Sequence, residues 1–248
     1  MVILKTKNEL LSMQRAGRLS AQALWAGGKA VKPGVTTAEI DRIIHDFIVK
    51  NGGTPSFLNY SGFPASACIS VNDEVIHGIP GNRVLKEGDI VSIDVGAKVD
   101  GFHGDNAYTF ACGAISPEAQ ALLDATKESL MRGIAAAQPG NRIGDISAAV
   151  QNYVESLGYS VVRDYVGHGV GRNLHEEPEV PNFGRAGRGV RLAPGMVIAI
   201  EPMINQGTCE VHVLSNDWTV VTNDNRLSAH FEHTIAITQN GPVILTSV

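Results

Sequence analysis

The 248-residue sequence predicts an α+β fold: one domain made of two similar halves, of about residues 1–110 and 111–248, facing each other across a shared cleft. Three observations point there. Signals for a pair of helices occur twice at an offset of 106, apolar runs that end in a carboxylate occur twice at an offset of 107, and an Asp-Gly pair joins two strand-like segments into a hairpin.

Thr6 and Glu9 have the spacing of a capping box, where each side chain bonds the other residue's backbone N–H. The helix that follows offers Leu10, Leu11, Leu19 and Leu24 for a buried stripe and should end near Gly27-Gly28. After a Pro33-Gly34 turn, Thr36 and Glu39 form a second box. Its helix carries Ile40, Ile43, Ile44, Phe47 and Ile48 and stops at Asn51-Gly52-Gly53. Adding 106 takes Gly27, Pro33, Gly34, Ile40, Phe47 and Gly52 to Gly133, Pro139, Gly140, Ile146, Tyr153 and Gly158. Adding 107 takes Leu85, Gly88 and residues 90–94 to Leu192, Gly195 and residues 197–201, which makes Asp94 and Glu201 equivalents. So long a period excludes a solenoid and leaves two halves of helices and strands.

With 44% hydrophobic and 18% charged residues, the chain can bury a large core. A formal charge of -5 supplies no basic stripe for a nucleic-acid backbone. Cys68, Cys112 and Cys209 are odd in number and far apart, which supports neither a disulfide framework nor a zinc knuckle and points to a reducing compartment. No apolar run approaches the ~18 residues of a membrane span. A cytoplasmic protein with small or peptide-sized partners is expected.

The chemistry is carried by five residues. Residues 90–99 and 102–110 flank Asp100-Gly101, the pair most typical of a two-residue hairpin. That loop sets Asp94 opposite Ala107 and puts Asp105 on the same face, a diagonal neighbour roughly 7–8 Å away at the backbone. Glu201 ends the apolar run 196–200 just before Pro202, where continuation of a strand is disfavoured. Glu232 shares strand parity with Thr234 and Ala236. His168 lies between glycines in residues 167–171, which lets the backbone approach closely. Four carboxylates in one pocket repel unless some are protonated or cations are present. Two divalent ions balance them, and such a pair lowers the pKa of a shared water to give a hydroxide nucleophile near neutral pH. One imidazole among oxygen donors suits Mn, Fe or Co, with Zn also compatible. His175-Glu176-Glu177-Pro178 is not a zinc-binding HExxH helix, because position 179 is Glu and Pro178 would break the helix. GxGxxG and GxSxG spacings are absent.

Together these segments resemble type I methionine aminopeptidases over nearly the whole chain: residues 67–72 (ACISVN), 77–80 (HGIP), 92–95 (SIDV), 100–105 (DGFHGD), 167–171 (GHGVG), 175–178 (HEEP), 200–203 (IEPM) and 231–234 (FEHT). The resemblance implies the pita-bread fold, a curved antiparallel-rich sheet with outer helices and pseudo-twofold symmetry. It implies removal of the initiator methionine from nascent polypeptides whose second residue is small, by a monomer. It leaves ribosome contact open. Asp94 would chelate one metal, Asp105 and Glu232 would bridge both, and His168 and Glu201 would complete the other, with Glu201 also the general base. His175 would stabilise the oxyanion and His77 would contact the scissile amide. Tyr60, Phe63, Cys68 and Trp218 match the methionine pocket. Asn72 and Ser228 match a monovalent-cation site in some relatives, or cap a turn. The spacings of 33 from His168 to Glu201 and 31 from Glu201 to Glu232 leave no room for the long type II insertion, and no N-terminal zinc-binding extension is expected. Leu174, Phe63 and Gly96 depart from the frequent aromatic, tyrosine and threonine. Competing readings are an X-Pro aminopeptidase or prolidase, and a metal-free binding protein on the same fold.

Overall fold

In the computed structural model, which describes residues 1–248, both capping boxes form. The Glu9 N–H donates to the Thr6 hydroxyl at 3.4 Å and the Thr6 N–H to the Glu9 carboxylate at 2.9 Å, opening α1 (Lys7–Gly28). Thr36 and Glu39 open α2 (Thr37–Lys50) in the same way at 3.2 and 2.8 Å. The buried stripe of α1 runs through Met13, Ala16, Leu19, Ala23 and Leu24, steps of three, four and one that follow one helix face. Leu11 lies off that face and is 52% exposed, so it does not join the stripe expected for it. In α2 the i, i+4 series Ile40, Ile44 and Ile48 is fully buried, each side chain contributing about 1.5–3 kcal/mol of gross hydrophobic stabilisation. Ile43 is exposed and Phe47 half-buried for the same angular reason.

The second pair, α3 (Pro117–Ala136) and α4 (Ile143–Ser156), repeats the first contact by contact. Gly34 N–H donates to Leu85 O, and Gly140 N–H to Leu192 O, both at 2.9 Å and both from glycines near φ +90° (90° and 93°), where an L side chain is strained. A Cβ on Gly27 would lie 2.6 Å from Ile44 Cδ1, and one on Gly133 would lie 3.0 Å from Val150 Cγ2. Each helix pair therefore crosses closely at a glycine, and Ile44 and Val150 differ by the repeat offset.

Strand β1 (Ala67–Val71) pairs antiparallel with β2 (Ile90–Val99), which pairs on its other side with β3 (Phe102–Ala111). Asp100 and Gly101 both take positive φ, 52° and 80°, making the two-residue turn; Asp94 faces Ala107 and Gly96 faces Asp105, the register expected from sequence. A five-stranded sheet forms from β4 (Gly167–Gly169), β5 (Glu176–Val180), β6 (Val197–Ile200), β7 (His233–Thr238) and β8 (Gly241–Ile244), in the order β8-β7-β6-β4-β5. A seam ties the two sheets together. The Thr234 hydroxyl donates to Asp105 O at 2.7 Å and accepts from Asp105 N–H at 3.1 Å, and Glu232 N–H donates to Ala107 O at 2.9 Å. One core packs Leu19, Leu24, Ile40, Ile44 and Ile48 onto Ile69, Val91, Ile93 and Val95. The other packs Leu122, Leu130, Ile134 and Ile146 onto Ile198, Ile200, Ile235 and Ile237. The helices thus cover the outer faces, and the carboxylate-bearing faces turn towards the cleft. No helix is long and apolar enough to cross a membrane.

Candidate active site

The five residues singled out from the sequence come together at the seam. Asp94 and Asp105 project from β2 and β3, Glu201 follows the end of β6, Glu232 immediately precedes β7, and His168 is the middle residue of β4. Glycine makes β4 possible: a Cβ on Gly167 would collide with the Ala199 carbonyl, and one on Gly169 with the Glu177 carbonyl. Ligand atoms of Asp105, His168 and Glu232 all lie within 4.8 Å of one another. His168 Nε2 is 3.5 Å from Glu201 Oε1 and 3.9 Å from Asp105 Oδ2. Asp94 and Asp105 are close enough to share a proton.

The donor set fits divalent cations. His168 Nδ1 sits 2.9 Å from the Gly169 carbonyl, an acceptor only, so Nδ1 carries the hydrogen and the Nε2 lone pair faces the carboxylates. Burial, then the His175 charge, holds the His168 pKa down to about 3, so the ring is neutral. Asp94 Oδ1, Asp105 Oδ1 and Glu232 Oε1 are buried with no hydrogen-bond partner. Burial first, then their mutual charge, pushes Asp94, Glu201 and Glu232 well above the usual carboxylate range, while burial raises Asp105 to about 7 against the proton shared with Asp94. A lone pair and orphaned carboxylate oxygens aimed at one point are costly in any state that lacks positive charge between them.

Beside this centre lies a cavity of about 600 Å³. Its apolar wall is built from Phe57, Phe63, Cys68 and Leu174, with Trp218 edge-on to Phe63 at 5.1 Å between ring centres. Leu174, 2% exposed, fills the wall where an aromatic is frequent in the family resembled. Burial pushes the Cys68 thiol well above its usual pKa, so it is neutral packing surface. Tyr60 and the two histidines line the same cavity. The Tyr60 hydroxyl is 2.7 Å from His175 Nδ1, and the His175 ring lies 4.2 Å from that of His168. His77 holds φ at 57°, and its ring packs edge-on against Tyr165 at 5.7 Å. Burial, then His175, lowers its pKa to about 4.

Gly96 is explained by its neighbours: a Cβ there would lie 2.7 Å from both Ser56 Cβ and Phe57 Cε1, and the Ser56 hydroxyl bonds His103 Nδ1 at 2.8 Å. Asn72, in a left-handed conformation at φ 63° in the turn just after β1, ties that turn to the start of β2. Its Nδ2 donates to Asp89 at 2.8 Å, its Oδ1 accepts from Ile90 N–H at 3.0 Å, and its carbonyl accepts from Ser228 N–H at 2.9 Å. The Ser228 hydroxyl bonds Asn205 Oδ1 at 2.8 Å.

Two features were missed from sequence. His230 is 1% exposed, neither ring nitrogen has a hydrogen-bond partner, and Nε2 stands 3.8 Å from Glu201 Oε2. Its signal was the parity it shares with Glu232 and Thr234, obscured because the strand breaks between His230 and His233. Lys5 forms a buried ion pair with Glu176, next to His175, and that pairing spans most of the chain. His45, His212 and His233, given no role from sequence, bond Ser66, Asn223 and Thr246.

A family model described as metallopeptidase family M24 matches residues 12–239. Methionine aminopeptidase of Clostridium acetobutylicum is 57% identical over 247 residues, covering 99% of each chain. The crystal structure of methionine aminopeptidase from Thermotoga maritima matches with a TM-score of 0.99 at 45% identity, over 100% of both chains. The prolidase from Pyrococcus furiosus, at 24% identity, shares the fold alone, with a TM-score of 0.80 over 99% of this chain and 66% of that one. The common architecture is the pita-bread fold. With its two helix pairs, its seam of carboxylates and these relatives, the chain belongs to metallopeptidase family M24, among the methionine aminopeptidases.

Proposed function

We propose that the protein hydrolyses the first peptide bond of polypeptides that begin with methionine, releasing the methionine. The observation that carries this reading is the juxtaposition of a buried cation-fitting centre with an apolar pocket lined by Phe63, Cys68, Leu174 and Trp218. A thioether side chain suits such a pocket, since it adapts to aromatic and aliphatic walls. Asp94, Asp105, His168, Glu201 and Glu232 would hold two divalent ions, of Mn, Fe or Co, with Zn as a further candidate. When bound, the ions supply Lewis-acid polarisation and make a water acidic enough to attack near neutral pH.

The chain's own groups do the rest. Glu201 takes the proton of the attacking water, with His230 standing against its second oxygen. The Tyr60 hydroxyl donates to His175 Nδ1, which keeps the hydrogen on Nε2, where it can be given to the carbonyl oxygen as negative charge develops. His77, held in a left-handed conformation against Tyr165, contacts the scissile amide. The crowding of His77 and Tyr165 at the cavity supports a small second residue in the substrate. The same reading takes the substrates to be new polypeptides in the cytoplasm, acted on by a monomer; the three free thiols are in keeping with a reducing compartment. The greater identity to methionine aminopeptidases favours this activity over X-Pro cleavage, and the converging orphaned oxygens favour it over a metal-free binding protein.

The test is to strip metal with a chelator, restore Mn, Fe or Co, and compare a Met-Ala peptide with an X-Pro peptide. Metal-dependent release of methionine is expected. Cleavage of X-Pro alone would replace this reading with the prolidase-like one, and loss of both activities after metal restoration would favour the binding protein.

A further inference from the structure

Glu177 and Glu179 line the active-site cavity on one side and a second groove, of about 570 Å³, on the other. That groove is walled by the start of α4, at Ile143, and by the loop that carries Phe183, Arg185 and Arg188. The strand bearing the two glutamates, β5, is the edge of its sheet and has no neighbour beyond it. Resting on the aminopeptidase reading, we propose that the substrate polypeptide leaves the active site along this free edge, and that the second groove binds its segment downstream of the scissile bond, with a preference for acidic side chains there.

The geometry gives the path. His175 belongs to the active-site cavity and Pro181 to the second groove, with β5 running between them. At ~3.3 Å per residue this stretch spans roughly 20 Å, enough for about six substrate residues in extended form. The edge offers backbone groups to an extended peptide on either side of Pro178, which has no N–H to donate, and main-chain pairing of this kind tolerates many sequences. An enzyme that acts on polypeptides of many sequences can use such a contact.

Charge gives the preference. Glu177, Glu179, Arg185 and Arg188 are exposed, and none of them enters an ion pair within the chain. The neighbouring arginines are already used: Arg142 and Arg191 donate to the Gly189 and Gly140 carbonyls at 2.8 and 2.9 Å, which shapes the loop, and Arg163 stacks over Phe183 at 5.7 Å. Arg185 and Arg188 are thus the cations free to meet a ligand. Glu177 and Glu179 border both cavities, whereas Arg185 and Arg188 border the second groove only, so a chain whose acidic residues come late is the complementary one.

The experiment uses the Mn-loaded enzyme and three peptides: Met-Ala-Ser, Met-Ala-Ser-Gly-Ser-Gly-Glu-Glu-Glu and Met-Ala-Ser-Gly-Ser-Gly-Lys-Lys-Lys. At low salt the Glu-tailed peptide should have a kcat/KM about fivefold above the Lys-tailed one, as expected for two exposed ion pairs. The bias should fade as salt shortens the screening length. Replacing both arginines (Arg185→Glu with Arg188→Glu) should reverse the bias and leave Met-Ala-Ser turnover unchanged. Equal treatment of the two tails by the unaltered enzyme, or a bias that survives charge reversal, would overturn the proposal. Binding of the fluorescein-labelled tailed peptides, followed by anisotropy, repeats the comparison without turnover. Inactivity towards Met-Ala-Ser therefore strikes the aminopeptidase reading, while the groove is still decided by the binding bias.

Discussion

Removing the metal should give the protein an unusual stability profile against pH, with a maximum near neutrality and a fall on the alkaline side. Two sets of buried groups oppose each other. His168 and His230 are held down to about 3, and His77, His103 and His233 to about 4, each chiefly by burial. Their folded pKa values lie below the ordinary 6.5, so the unfolded chain binds more protons, and stability rises with pH from those values up to 6.5. The carboxyls behave in the opposite sense. Asp105 moves from 3.8 to about 7, and Asp94, Glu201 and Glu232 also rise, well above their ordinary values. The folded state then holds protons that the unfolded chain has lost, and stability falls as pH rises towards each folded pKa. For Asp105 the shift corresponds to a loss of about 4 kcal/mol by the time pH passes 7. Above 6.5 the histidines no longer contribute, and every site carboxyl that keeps its proton subtracts about 1.4 kcal/mol per pH unit. Urea unfolding followed by circular dichroism, at about pH 6.5, 7.5 and 8.5, with chelator or with Mn, measures the effect. The metal-free midpoint should drop across the series and the Mn-loaded one should stay level. A chelated protein as stable at the alkaline end as at the start would refute the clustering of these carboxyls.

Three substitutions test the assigned roles. Glu201→Gln should lower kcat about a thousandfold by removing the proton acceptor; turnover close to the unaltered enzyme would remove Glu201 as base. Tyr60→Phe deletes the hydrogen bond to His175 Nδ1 and should lower kcat about tenfold with little change in KM. A rise in KM at unchanged kcat would instead make Tyr60 a pocket wall only. Gly96→Thr introduces the residue frequent in the family into space already taken by Ser56 and Phe57, and should destabilise the fold by about 1–3 kcal/mol; an unchanged melting temperature would show that the two side chains move aside freely.

Much of the site was legible because local rules governed it. Two residues in the Asp100-Gly101 turn set the register of β2 against β3, and that register alone places Asp94 and Asp105 on one face. The capping boxes likewise needed only residues three apart. What escaped was set by distance in space rather than in sequence. His230 and Glu201 meet only because residues 228–230 pair antiparallel with residues 203–205, just beyond β6, and Lys5 finds Glu176 only once the start of the chain lies against β5. Leu11 shows the same limit in a helix: its apolar character puts it in the expected stripe, and the packing of Met13 and Ala16 turns it outward. The departure at Gly96 has its reason in residues far along the chain, since Ser56 and Phe57 fill the space a side chain would need.

The seam between Asp105 and Thr234 has a consequence for the birth of the protein itself. Those residues are 129 positions apart, so more than half of the chain must be made between them. As the protein emerges from synthesis, the Asp94–Asp105 hairpin is complete long before His168, Glu201 and Glu232 exist. On the proposed metal assignment, two aspartates alone would form an open, weak cation site, and only the last strands would close it. Acquisition of tight metal binding should therefore coincide with the end of folding, late and governed by long-range pairing, so that no half-finished chain carries a working peptidase centre.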